Sequence, residues 1–159
     1  MKKRKKATTA QLLFDSLASP QLQGMRSAGP SFRQLLYGTD DYRVDLQIEP
    51  QENTEKMALV GQILNARFPG ETVSAAPVTV VKGQKVRALS ATNRFGEFRV
   101  ECEVERGLQL RVKLPQEVVS LPVFELSARR VDGSQVLIDS PGIRTLRGCK
   151  MYLRNQISL

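Results

Sequence analysis

The stretch from Thr92 to Leu114 constrains the fold of this chain more than any other. Apolar and charged side chains alternate strictly from Phe98 to Glu105, and they alternate again from Leu108 to Leu114 after a turn at Arg106-Gly107. Alternation with a period of two is typical of strands that bury one face. The outward row of the first arm is mainly Glu, and that of the second is basic. We therefore expect the arms to pair as an antiparallel hairpin, whose facing charges contribute about 0.2–1 kcal/mol per pair.

Further short strands are predicted along the rest of the chain, separated by turns that contain Gly, Pro or Asp. The predicted strands are 33–37, 42–48, 57–65, 78–82, 85–91, 98–105, 108–114 and 118–126. The first two and the fourth and fifth are expected hairpins, and Pro122 places the last strand at an edge or a bend. Leu12-Leu13-Phe14 fits either a strand or one amphipathic helical turn. The spacing predicts an all-β fold, a seven- or eight-stranded antiparallel β-sandwich with irregular N- and C-terminal extensions.

Charge divides the chain into three regions. The formal net charge is +8, but residues 7–126 hold thirteen Arg/Lys and fourteen Asp/Glu, a net charge of −1. Lys2 to Lys6 supply five positive charges, and residues 127–159 hold six Arg/Lys and two Asp, a net charge of +4. We therefore predict a basic, partly disordered N-terminal arm over 1–32, a β-sandwich domain over 33–126 and a basic C-terminal extension over 127–159.

Few residues of the chain point to catalysis or to a bound cofactor. The sequence contains no His, the usual general base, triad partner and metal ligand. Its two cysteines cannot complete a structural zinc site, and Cys102, on the apolar row of its strand, is expected to be buried. Asp40-Asp41 has the composition of a calcium pair but is more typical of a turn. We predict a non-enzymatic protein with no cofactor and no metal, and the cytoplasm as its location, where thiols stay reduced.

Three segments follow one another in an order that matches a known type of domain. They are Gly61-Gln62-Ile63, then Ala76-Pro77-Val78-Thr79-Val80, then Thr92-Asn93-Arg94-Phe95-Gly96-Glu97-Phe98. Together, over about Tyr42 to Leu126, they resemble the carboxypeptidase regulatory-like domain, with its V-G-x-V/I, P-V-x-V and T-x-x-x-G-x-F patterns. The resemblance implies a transthyretin/prealbumin-like (Ig-like) Greek key and a regulatory or interaction role.

The segment ahead of this region adds a second resemblance. LLFDSLASPQ…RSAG…RQLLYGTDDYRVDLQIEP is similar to a segment that precedes such domains in bacterial proteins often encoded beside sigma factors. In those relatives a zinc-binding anti-sigma segment comes first. Here MKKRKKATTAQ stands in its place, without the His and Cys that zinc requires. The resemblance therefore implies a link to sigma-factor regulation, but not the zinc-dependent anti-sigma activity.

The T-x-x-x-G-x-F motif has a structural interpretation. Gly96 is expected to supply a positive φ or a close backbone approach, and Asn93 is expected to close a turn with its side chain. Phe98 and Phe95 are expected to plug the end of the sandwich, and Thr92 opens the motif. The alternative is a ligand-binding loop built on Asn93, Arg94 and Glu97.

The basic leader, Lys2, Lys3, Arg4, Lys5 and Lys6, has three interpretations. It is a solvated tail, or a contact with nucleic acid through counterion release, or a contact with an anionic membrane surface. No run approaches the roughly 18–20 apolar residues of a transmembrane helix. The overall prediction is a regulatory module whose partner is another protein. Nucleic-acid or membrane-surface binding through the basic termini is the alternative function.

Overall fold

The computed structural model describes residues 5–16, 32–52, 54–122, 127–131 and 135–139, the last two ranges for their backbone. These residues form twelve strands. The strands are β1 (Lys6–Thr9), β2 (Gln11–Asp15), β3 (Arg33–Gly38), β4 (Tyr42–Pro50), β5 (Lys56–Asn65), β6 (Pro77–Lys82), β7 (Lys85–Ala91), β8 (Glu97–Glu103), β9 (Leu108–Lys113), β10 (Glu117–Ser120), β11 (Ser127–Val131) and β12 (Gln135–Asp139).

Ten of the strands form two five-stranded sheets. Sheet A has the order β1-β10-β9-β6-β7, and sheet B has the order β2-β3-β4-β5-β8. Among the described strands every pairing within these two sheets is antiparallel except that of β1 with β10, which is parallel. The prediction of an all-β sandwich is confirmed.

Both sheets contribute their inward rows to one apolar core. Leu46 and Leu59 of sheet B and Leu110 and Val112 of sheet A are completely buried. Burying a side chain of this size contributes about 1.5–3 kcal/mol, so these rows account for much of the driving force for folding. In β8 and β9 the predicted apolar rows are the buried ones, and the charged rows face outward.

The pairing of β8 with β9, however, was wrongly predicted. β8 pairs with β5 in sheet B, whereas β9 pairs with β6 and β10 in sheet A. Residues 104–107 carry the chain from one sheet to the other, and Glu105 in this connection binds Lys82 and Arg87. Alternation shows which side chains face a core, but it does not identify the neighbouring strand. The two rows therefore pack toward each other across the core, and their charges point in opposite directions.

The other expected hairpins are confirmed. β3 pairs with β4, and β6 pairs with β7 around a turn at Gly83-Gln84. The region 33–126 supplies eight strands, β3 to β10, as expected from its spacing. The last of them ends at Ser120, and residues 123–126 lie outside the described residues.

The N-terminal boundary of the sandwich needs correction. Residues 6–15, predicted to belong to a partly disordered arm, form one strand of each sheet. The chain crosses between the sheets at Ala10, which is 1% exposed and donates its N–H to the carbonyl of Ser120. Leu12-Leu13-Phe14 is part of a strand rather than a helical turn. Lysines and threonines obscured β1 in the sequence because an edge strand buries little and does not require an apolar row.

The C-terminal extension, predicted to be irregular, contains two strands: β11 and β12 pair antiparallel, with Val131 opposite Gln135. Residues 140–159, including Cys149, lie outside the described part of the chain.

Candidate functional site

The motif from Thr92 to Phe98 forms a hydrogen-bonded turn between the two sheets. The Oγ1 of the buried Thr92 accepts the N–H of Ala76 at 2.9 Å, and its backbone N–H donates to the carbonyl of Ala76 at 3.0 Å. Thr92 thus fastens the end of β7 to the start of β6. This role is structural, as its place in the motif implied.

Asn93 closes the turn with its side chain. Its Oδ1 accepts the N–H groups of Phe95 at 2.8 Å and Glu97 at 3.0 Å, and its Nδ2 donates to Glu97 Oε2 at 2.9 Å. The predicted turn role of Asn93 is confirmed. Because its Oδ1 already accepts two backbone N–H groups and its Nδ2 donates to Glu97, these contacts do not favour the alternative of a ligand loop built on Asn93, Arg94 and Glu97.

Gly96 and Phe98 occupy the positions that the motif predicts for them, whereas Phe95 does not. Gly96 has a φ of 78°, and a Cβ there would lie 2.5 Å from the carbonyl oxygen of Ile63, whose N–H binds the Gly96 carbonyl. Phe98 is buried, and its ring lies over Gly61. Phe95, predicted to plug the sandwich, is half exposed and lies under the guanidinium of Arg94 at 4.6 Å. The buried Phe98 fills this part of the core, so Phe95 remains at the surface.

A groove of about 610 Å³ lies beside this turn, on the outer face of sheet B. Its lining includes Asp45, Gln62, Glu97 and Arg99. The Asp45 carboxylate accepts hydrogen bonds from the Gln34 amide at 3.1 and 3.2 Å, and Arg99 forms an ion pair with Glu49 at 3.3 Å. The groove is open and combines polar and apolar surface, and the sequence did not predict its concavity.

A different kind of surface lies at the edge of the same sheet. Leu12, Leu13 and Phe14 of β2 are 49%, 52% and 42% exposed. The register of β2 against β3 shifts between Leu12 and Phe14, so these consecutive side chains do not divide into one buried row and one exposed row. Within the described residues β2 pairs with β3 alone. The result is a short apolar edge with backbone groups directed away from the sheet.

A buried ion pair fixes this edge strand. Arg33 Nε lies 3.1 Å from Asp15 Oδ1, and Arg33 Nη2 lies 2.5 Å from Asp15 Oδ2, with both side chains 6% exposed. Burial raises the pKa of nearby Tyr37 to about 12, an effect that Arg33 opposes and Asp15 reinforces. Ser16 adds two bonds to Gln34, one from its N–H and one to its Oγ. β2 is therefore held in a defined position on β3.

The predicted polyanion contact is only partly described. Lys2, Lys3 and Arg4 lie outside the described residues. Lys5 donates from Nζ to the Leu114 carbonyl at 2.6 Å, and Lys6 begins β1 opposite Glu117. The last two lysines of the run therefore belong to the sandwich rather than to a free tail.

The remaining chemical candidates lie in structural positions. Cys102 is buried and free, and burial raises the pKa of its thiol to about 11. The carbonyl of Asp41 accepts the N–H of Ala66, and its carboxylate lies 3.3 Å from Arg67. Among the described residues no group of three or more Cys, Asp or Glu side chains is placed to hold a metal ion. The same residues include no helix long and apolar enough to cross a membrane.

Comparison of the chain with family models, with curated proteins and with solved structures gives no match. The resemblance to the carboxypeptidase regulatory-like domain therefore stays a prediction.

Proposed function

We propose that this chain is a non-enzymatic protein-interaction module that binds an extended segment of a partner protein along β2. The supporting observation is the apolar edge formed by Leu12, Leu13 and Phe14. Sheet edges recruit further strands through backbone hydrogen bonds, while pockets for alternate side chains supply specificity. Proteins usually protect such apolar, uncharged edges against pairing with other chains, so an unprotected edge suits a strand that binds a partner.

The position of β2 supports this use of the edge. The Asp15–Arg33 pair and the bonds of Ser16 hold the strand against β3, so a partner would meet a pre-ordered strand. Binding to a pre-ordered edge avoids part of the entropy cost of association.

The edge strand β7 of sheet A provides a contrast. β7 exposes Leu89, but it also carries Lys85 and Arg87, and Ser90 donates a hydrogen bond to the Arg99 carbonyl of β8. Charges of this kind are a usual protection against edge-to-edge pairing. β2 has no charged residue between Gln11 and Phe14, so we assign the interaction to β2.

Within the same proposal, we assign the partner to bacterial sigma-factor regulation and the complex to the cytoplasm. These assignments rest on the resemblance of residues 42–126 and of the segment ahead of them, and on the free thiol of Cys102. In this role the chain catalyses no reaction.

The proposal can be tested with a photo-crosslinking residue placed at Leu13 of the full chain, in cells that express it naturally. We expect one defined protein to be captured at position 13, and not when the same residue replaces Leu89 on β7. Crosslinking from position 13 should be abolished when Leu12→Lys is added and retained when Leu89→Lys is added. Both variants should keep the wild-type melting temperature. Equal capture at both edges, or capture unaffected by Leu12→Lys, would contradict the proposal.

Polyanion binding through the termini is the alternative function, and the same chain can test it. Because Lys5 and Lys6 are part of the fold, the variant should change Lys2, Lys3 and Arg4 to Gln rather than delete the leader. If these side chains bind duplex DNA, the slope of log K against log salt should fall by about 0.9 for each phosphate that is no longer neutralised. A protein partner bound at β2 should be unaffected by the same variant.

A further inference from the structure

The outer faces of the two sheets differ in charge. Outward positions of β4, β5 and β8 carry five carboxylates and three cations; the carboxylates are Asp45, Glu49, Glu97, Glu101 and Glu103. Arg43 lies at one end of this face, where it donates to the carbonyls of Thr39 and Tyr42, and Lys56 lies at the other end. In the centre Arg99 is the one cation among these outward positions. We call the region between these two ends, whose carboxylates are Asp45, Glu49, Glu97 and Glu101, the acidic face.

Two carboxylates of the acidic face have amide rather than cationic neighbours. Asp45 is bound by the Gln34 amide, and Glu97 by the Asn93 amide. The two lie on either side of Gln62 in one cross-strand row, and all three line the groove. Strands are spaced about 4.8 Å apart, so the two carboxylates present negative charge across about 10 Å of concave surface.

The outer face of sheet A has the opposite sign. Arg111 and Lys113 of β9 point outward in its centre, beside Thr79 of β6 and Val118 of β10. The carboxylate of β10, Glu117, is buried. Among the described outward residues of β6, β9 and β10 there is no carboxylate. A basic segment would be repelled from this face and attracted to the other.

The chain itself contains such a segment. Residues 127–159 carry six Arg/Lys and two Asp. The described part of the sandwich ends at Pro122, and at least 37 residues follow it, 123–159. At about 3.3 Å per extended residue, part of this length is enough to pass around a sandwich whose sheets lie about 10 Å apart.

We infer that the C-terminal extension, residues 127–159, docks on the acidic face of the same molecule. Tethering makes a modest attraction sufficient, since a short flexible linker produces an effective concentration in the mM range. Contacts between exposed charges are screened beyond about 8–10 Å at physiological salt, so docking should weaken as salt is added. This inference concerns a different surface from the β2 edge and is independent of the function proposed above.

A spin label on Cys149 of the full-length chain would test this docking. Cys102 is buried and its thiol has a raised pKa, so the label should attach to Cys149. At low salt we expect the amide signals of Gln47, Gln62 and Glu97 to lose most of their intensity, while those of Thr79 and Arg111 keep it. Addition of 0.5 M salt should restore the weakened signals.

Charge-neutral variants identify the face. Asp45→Asn with Glu97→Gln keeps the amide hydrogen bonds and should abolish the selective weakening of the signals. The matched control, Asp40→Asn with Glu71→Gln, removes two exposed charges outside the acidic face and should leave the weakening unchanged. Equal effects of the two double variants, or broadening of sheet A in place of sheet B, would overturn the inference. So would broadening that is equally strong on ¹⁵N chains without a spin label when they are mixed with spin-labelled ¹⁴N chains, because docking would then be intermolecular.

Discussion

The two sheets of the sandwich bury similar inward rows but differ at their outer faces and edges. Leu110 of sheet A and Leu59 of sheet B enter the same core. Outside, sheet A presents Arg111 and Lys113, whereas sheet B presents the carboxylates around Asp45 and Glu97. Sheet B also contains a buried ion pair beside its apolar edge. The core restricts only every second residue of a strand, so the other positions are free to specialise for binding.

The largest expected effect concerns the ion pair of sheet B. Arg33→Met leaves the carboxylate of Asp15 buried without its guanidinium partner, and we expect a decrease of about 3–5 kcal/mol in the free energy of unfolding. Arg99→Met, which removes an exposed partner of Glu49, should cost under about 1 kcal/mol. Urea denaturation of both variants measures the difference.

A double variant separates the ion pair from its packing. Replacing both partners, Asp15→Leu with Arg33→Met, should restore most of the stability that Arg33→Met removes, because no uncompensated charge remains buried. If Arg33→Met costs no more than Arg99→Met, the Asp15–Arg33 contact does not hold β2 to sheet B. The rigid edge on which the proposed function depends would then be excluded.

The next prediction tests whether the two sheets contribute equally to the stability of the core. Val100→Ala in β8 and Leu110→Ala in β9 should each lower the free energy of unfolding by about 2–4 kcal/mol, since each removes buried methyl groups from the same interior. Shifts in the denaturation midpoint at constant slope provide the measurement. The exposed Glu101→Ala is the matched control, and a Val100→Ala midpoint no lower than that of Glu101→Ala would place β8 outside the core.

Much of the fold could be predicted from local patterns. Alternation identified the buried rows of β8 and β9, and turn residues identified the β3–β4 and β6–β7 hairpins. The conformation of Gly96 and the turn contacts of Asn93 also followed from residue type and position. These features depend on a few neighbouring residues, and for this reason the sequence was sufficient.

The features that were missed depend on contacts between distant residues. Lys6–Thr9 is a strand because β10 lies beside it, and nothing within those four residues indicates so. Arg33 was expected in a strand, but its buried partner Asp15 lies in a different predicted region. The groove near Asp45 and Glu97 arises where three strands of sheet B, β4, β5 and β8, lie beside the turn at Asn93. The outward charges of β8 and β9 are opposite in sign, and they would attract each other if the two strands paired. For this reason they suggested a hairpin.

The prediction with the smallest expected effect tests whether β8 and β9 are paired. In a hairpin with the three-residue loop 105–107, which puts both apolar rows on one face, Glu101 and Arg111 would face each other, and a double-mutant cycle would give a coupling of about 0.2–1 kcal/mol. In the observed sandwich they lie on opposite outer faces, Glu101 in sheet B and Arg111 in sheet A. Changes at sites more than about 7–10 Å apart without shared partners are additive within about 0.3–0.5 kcal/mol.

Charge reversal makes the test decisive despite the small energies. Glu101→Lys and Arg111→Glu should each cost under about 1 kcal/mol, as is usual for exposed charges. In the double variant their effects should simply add, because the two side chains point away from each other across the whole thickness of the sandwich. In a hairpin the two changes would create a reversed pair, and the second would recover stability that the first had removed. Such recovery, seen at low salt and abolished by added salt, would show that β8 and β9 are neighbours. The separate outer faces of the two sheets would then not exist.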